Sequence, residues 1–77
     1  MISSDTYPIT LRGKDGTLRV FRNSGYCWGR INMPDGVEYD VVTKRDYYDY
    51  SDESAALAFT RAALKGNLIA PMGWKGA

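Results

Sequence analysis

The chain has 77 residues, 44% of them hydrophobic and 25% charged, with a net charge of +1, one cysteine and no histidine. That composition describes one small globular domain, without an internal disulfide and without the commonest general base and metal ligand. It has no apolar run of the roughly 18 residues a membrane span needs, and Met1-Ile2-Ser3-Ser4-Asp5 lacks the basic and apolar regions of a signal peptide, so a cytoplasmic chain is expected.

Tyr7, Ile9 and Leu11 alternate with Pro8, Thr10 and Arg12. This predicts a half-buried strand over 7–12, with Pro8 at its start or on a sheet edge. Gly13-Lys14-Asp15-Gly16 reads as a turn. A second strand is expected over 17–22, with Leu18 and Val20 on one face and Arg19 and Phe21 on the other. Asn23-Ser24-Gly25 turns the chain into a third strand over 26–33, where Cys27, Ile31 and Met33 oppose Tyr26, Trp28 and Arg30. Pro34-Asp35-Gly36 is a further turn, and Val37, Tyr39 and Val41 alternate in a fourth strand. The stretch from Lys44 to Tyr50 is open between a short edge strand and an ordered loop.

A helix follows. Ser51 suits the N-cap, Asp52 and Glu53 suit the first turn, and Gly66 suits the position just past the end. At 100° per residue, Ala56, Leu57, Phe59, Thr60, Ala63 and Leu64 form the stripe expected to lie on the sheet. Ala55, Ala58, Arg61 and Ala62 fall on the opposite side. Leu68-Ile69-Ala70 is a candidate last strand. The fold class expected is α+β, a four- or five-stranded antiparallel sheet with one α-helix packed on one face. Residues 1–77 form one domain, with 1–5 and 73–77 loosely ordered.

The residue inventory argues against catalysis. Nucleophilic chemistry needs an activated group beside a base, and Cys27 has no histidine to activate it, so a buried inert thiol is expected. Zinc needs sets of Cys and His. Asp46, Asp49, Asp52 and Glu53 lack the spacing of a calcium loop, and Gly13 and Gly16 are too close for a phosphate-cradling loop. No cofactor, no metal and no enzymatic activity are expected.

Charge is sorted by position. Residues 12–30 carry five basic side chains against one acid, and residues 35–53 carry seven acids against two bases. Two candidate binding surfaces result. One is an acidic, tyrosine-rich segment with Asp46, Tyr47, Tyr48, Asp49, Asp52 and Glu53, expected to form an exposed patch apart from the arginines. Its phenol rings offer interface area and its carboxylates suit a basic groove on another protein. The other is the sheet face bearing Arg19, Phe21, Tyr26, Trp28 and Arg30. Arginines hold phosphates and aromatic rings stack on bases. If the helix covers Phe21, Tyr26 and Trp28, this second surface is core and is lost.

Trp28-Gly29-Arg30-Ile31-Asn32-Met33-Pro34-Asp35-Gly36, followed by the alanine-rich stretch over 50–65, resembles the sheet-plus-helix domain of plant ethylene-response factors and the arm-binding domain of phage-type integrases. Those domains lay a sheet bearing Arg and Trp into duplex DNA. Over about half of the chain the resemblance implies DNA contact by Arg19, Trp28 and Arg30. The stretch between Gly36 and the helix is longer here and strongly acidic. In size, architecture and charge layout the chain also resembles phage-encoded inhibitors of bacterial defence, the anti-CRISPR proteins. That resemblance implies a non-enzymatic inhibitor in the bacterial cytoplasm, docking on the nucleic-acid site of a host protein or ribonucleoprotein complex such as a CRISPR effector. The net charge of +1 is small for a DNA binder, so of the two surfaces the sequence favours the acidic segment.

Overall fold

In the computed structural model, which describes residues 3–70, five strands and one helix follow in the order β1 (Ser3–Leu11), β2 (Lys14–Asn23), β3 (Tyr26–Asn32), β4 (Glu38–Val41), α1 (Asp52–Leu64) and β5 (Leu68–Ile69). The strands form one antiparallel sheet in chain order, β1-β2-β3-β4-β5. Short links dictate the β1–β4 meander, because each turn returns the chain beside the strand it has just left, whereas β5 comes back beside β4 only after α1. Of residues 1–5, expected to be loosely ordered, 1–2 lie outside the described residues, and Ser3, Ser4 and Asp5 pair with Arg22, Phe21 and Val20. The expectation for 73–77 lies outside the described residues.

The first turn is tighter than its glycines suggest. Leu11 pairs directly with Lys14, so only Arg12 and Gly13 turn the chain, both with positive φ (52° and 79°). Two positive-φ residues match the twist of a two-residue hairpin. Gly16, expected in the turn, instead lies within β2 opposite Ile9. A Cβ there would come within 2.7 Å of the Met33 sulfur and 2.9 Å of the Asn32 carbonyl oxygen. Its hydrogen side chain therefore serves packing inside a strand. In a two-residue hairpin the closing pair exchanges hydrogen bonds and the pattern then alternates. Pro8, opposite Thr17, falls at a position whose backbone points away from β2, where the missing N–H removes no ladder bond.

The helix covers the face of Ile9, Leu11, Leu18, Val20, Ile31 and Val41, all buried together with Ala55, Ala56, Phe59, Ala62 and Ala63. Leu18, Val20, Ile31 and Phe59 are the largest fully buried side chains. Each removes enough apolar area from water to contribute about 1.5–3 kcal/mol. The helix is rolled relative to the expected stripe. Leu57 and Leu64 are 52% and 62% exposed, while Ala55 and Ala62, expected on the outer side, are buried. The reason is steric. Phe59 plugs the hollow over Gly29, where a Cβ would lie 2.8 Å from its ring. Alanines beside Phe59 let the helix backbone sit close to the sheet, and leucines there would hold it off.

The helix ends as its residues require. Ser51 has extended backbone angles, and its Oγ accepts the Ser54 N–H at 3.1 Å. Gly66 takes φ 85° just past the end, and its N–H donates to the Ala63 carbonyl. Among the described residues no helix is long and apolar enough to cross a membrane.

Candidate functional site

Because the helix occupies one face, the side chains of opposite parity are left on the other. Arg19 lies directly opposite Arg30, Phe21 opposite Trp28, and Thr17 opposite Asn32. Phe21 and Trp28 stack nearly parallel, with ring centroids 5.1 Å apart and planes 13° from each other. The Arg19 and Arg30 guanidinium carbons lie 5.7 and 5.9 Å from the Phe21 ring centre. Arg30 Nε also donates to Asp40 Oδ1 at 2.8 Å, a bond that β4 provides by pairing Asp40 with Arg30. Tyr26, 69% exposed, stands at the hairpin end of the same face.

This cluster conflicts with what stability alone favours. Like charges directly opposite on neighbouring strands destabilise a sheet by a few tenths of a kcal/mol up to about 1. Here Asp40 and the shared Phe21 ring offset the repulsion. Two polar atoms near the cluster, Arg19 Nε and Asn32 Oδ1, are buried without a hydrogen-bond partner among the described residues. Local conflicts of this kind gather at binding sites, where a ligand completes what the chain alone leaves unsatisfied.

The acidic segment is arranged differently from the expected patch. Asp46 is consumed locally, its Oδ1 accepting the Tyr48 N–H at 3.0 Å. Tyr47 turns inward, packing edge-on against Phe59 at 5.7 Å and Tyr50 at 5.0 Å. Arg22 enters the segment: its Nε donates to Asp52 Oδ1 at 2.6 Å, and its terminal nitrogens donate to the Tyr48 carbonyl at 2.5 Å and to the Tyr50 carbonyl. Arg45 donates to the Tyr50 hydroxyl at 2.7 Å. Tyr48 and Tyr50 keep 41% and 40% exposure, and Asp49 and Glu53 face solvent. The segment is therefore a bracket around Arg22 with two phenols and two carboxylates on its outer side.

Arg22 was legible in principle. It shares parity with Leu18 and Val20, so period-two alternation places it on the helix side, where an arginine must find partners. Asp5 shares that side, and its carboxyl is pushed up by facing Asp52. The same contact, followed by Arg22, holds Asp52 below the ordinary range. Burial, then the negative charge of Asp52 and Asp5, pushes the Tyr7 phenol up. Cys27 is half-buried, and desolvation raises its thiol, the opposite of what a reactive thiolate needs.

Elsewhere, a hollow of about 330 Å³ on the helix side is lined by Leu11, Arg12, Met33, Tyr39 and Leu64 among others. Among the described residues, no three of His, Cys, Asp and Glu gather as metal ligands. Comparison with protein-family models, curated proteins and solved structures yields no match to this chain.

Proposed function

We propose that this chain is a non-enzymatic binding domain that holds nucleic acid on the helix-free face of its sheet. The observation that carries the reading is that Arg19, Phe21, Trp28 and Arg30 stand together on the face the helix leaves open. Cations for phosphate and rings for bases are the two components such surfaces combine. The test is fluorescence anisotropy of labelled oligonucleotides at low salt, comparing the parent with Arg19→Ala/Arg30→Ala. Binding that the double substitution weakens about tenfold or more supports the reading. Binding unchanged by it, in a protein whose melting temperature is also unchanged, refutes it.

A second reading is favoured by the outward-facing Tyr48, Asp49, Tyr50 and Glu53. In it, the bracketed acidic segment docks on a basic surface of a bacterial defence complex, as an anti-CRISPR-like inhibitor. Asp49→Lys/Glu53→Lys reverses two solvent-facing charges; because Glu53 also lies in the first turn of α1, where negative charge is favoured, the comparison is made with the melting temperature measured alongside. If that substitution abolishes inhibition of a nuclease complex while oligonucleotide binding persists, the acidic side is the working surface.

A further inference from the structure

We infer that the ligand of the sheet face is a single strand, bound with an unpaired base on the Trp28 side of the Phe21–Trp28 stack, rather than a duplex; this rests on the sheet-face reading above. Reading a duplex requires guanidinium groups that project into a groove. Here both arginines lie down instead, within 6 Å of the Phe21 ring centre, and Arg30 is also tied to Asp40.

Charge argues the same way. Duplex affinity rests on neutralised phosphates, yet the register that puts Arg19 and Arg30 on this face puts Asp15, Glu38 and Asp40 on it as well. Single strands depend less steeply on neutralised phosphates than duplexes do, and stacking on an aromatic ring adds to their affinity because every exposed base has a face to offer.

The polar atoms point to a base edge. Arg19 Nε is a donor and Asn32 Oδ1 an acceptor, both buried and without a hydrogen-bond partner among the described residues. They sit on neighbouring strands, Asn32 two residues beyond the Arg30 that opposes Arg19. A base edge offers an acceptor and a donor together, the complement of this pair. In a duplex the pairing edge is occupied and the ring faces are covered by neighbouring bases.

The experiment uses the full chain and labelled probes of about twelve nucleotides, within the usual site size of such surfaces. The probes are a deoxythymidine strand, a uridine strand and a mixed-sequence duplex. The expected result is a strand at least about tenfold tighter than the duplex, with the deoxy and ribo arms showing which sugar is preferred. In a Trp74→Phe background, where Trp28 is the one remaining indole of two, strand binding quenches the fluorescence. A duplex bound as tightly as the strand, or strand binding with no quenching, overturns this inference and leaves sheet-face binding standing. Binding of no probe overturns both.

Discussion

Arg22→Ala tests whether the segment over 46–53 is held in place by one side chain. Arg22 makes an ion pair with Asp52 at 2.6 Å and reaches two backbone carbonyls, those of Tyr48 and Tyr50. The pair is partly exposed, at 21% and 33% of side-chain area, so it contributes toward the upper end of a surface bridge, about 1 kcal/mol. The carbonyls lie in exposed residues and can turn to water, so each bond is worth about 0.5 kcal/mol, the low end for a hydrogen bond. The loss is about 2 kcal/mol, against a total of roughly 4–12 kcal/mol for a domain of this length. At about 4–8 °C per kcal/mol, the melting temperature falls by roughly 8–16 °C. Arg22→Lys restores less than half, because one ammonium cannot span three acceptors set around a planar fork. Thermal melts followed by circular dichroism at pH 7 measure both variants. A drop under about 2 °C for Arg22→Ala, or full recovery with lysine, refutes the reasoning.

Three further outcomes follow from local geometry. Gly29→Ala drives a methyl into the Phe59 ring, 2.8 Å away, and should lower stability by about 1–3 kcal/mol in denaturant titration. Adding Phe59→Leu should make the pair non-additive, and simple additivity would refute the contact. Arg12→Gly relieves a positive φ of 52° and should raise stability by about 1 kcal/mol, checked by thermal melts. The third concerns acid response. Asp52 is held below the ordinary aspartate value of 3.8, so its stabilisation is present above that pH and is lost as pH falls through its lowered value. Asp5 is raised above 3.8, so its contribution is present below that pH and is lost as pH rises through its own value. Asp5→Asn keeps a donor toward Asp52 and removes the repelling charge. It should raise the melting temperature at pH 7, with the gain vanishing below pH 3.8. A gain that persists in acid would show a cause other than charge.

Much of the architecture was legible because it depends on local rules. Alternation set the faces of β2 and β3, so Leu18, Val20 and Ile31 were assigned together, and Arg19, Trp28 and Arg30 opposite them. Ser51 and Gly66 bounded the helix through the chemistry of its unsatisfied ends. The roll of the helix was not legible. Hydrophobicity favours Leu57 and Leu64 as core residues, but the fit of Phe59 over Gly29 is a matter of shape between elements 30 residues apart. The charge sorting misled for a related reason. Two segments opposite in sign along the chain become neighbours in the fold, and Arg30–Asp40 and Arg22–Asp52 join them. Linear separation of charge thus became internal pairing, and the acidic segment is less free than its composition implied.

Pro8 has a bearing on how this molecule meets its own copies. β1 is a nine-residue rim strand, long enough for another chain to zip onto it. Its outward amides come from alternate residues, and the proline ring interrupts that row near the middle. An incoming strand meets a break in donors there, and its pairing is confined to short stretches on either side. Along this border, which no other described strand pairs with, a second copy finds only short stretches of uninterrupted ladder, and the residue that imposes this takes nothing from the ladder on its inner side.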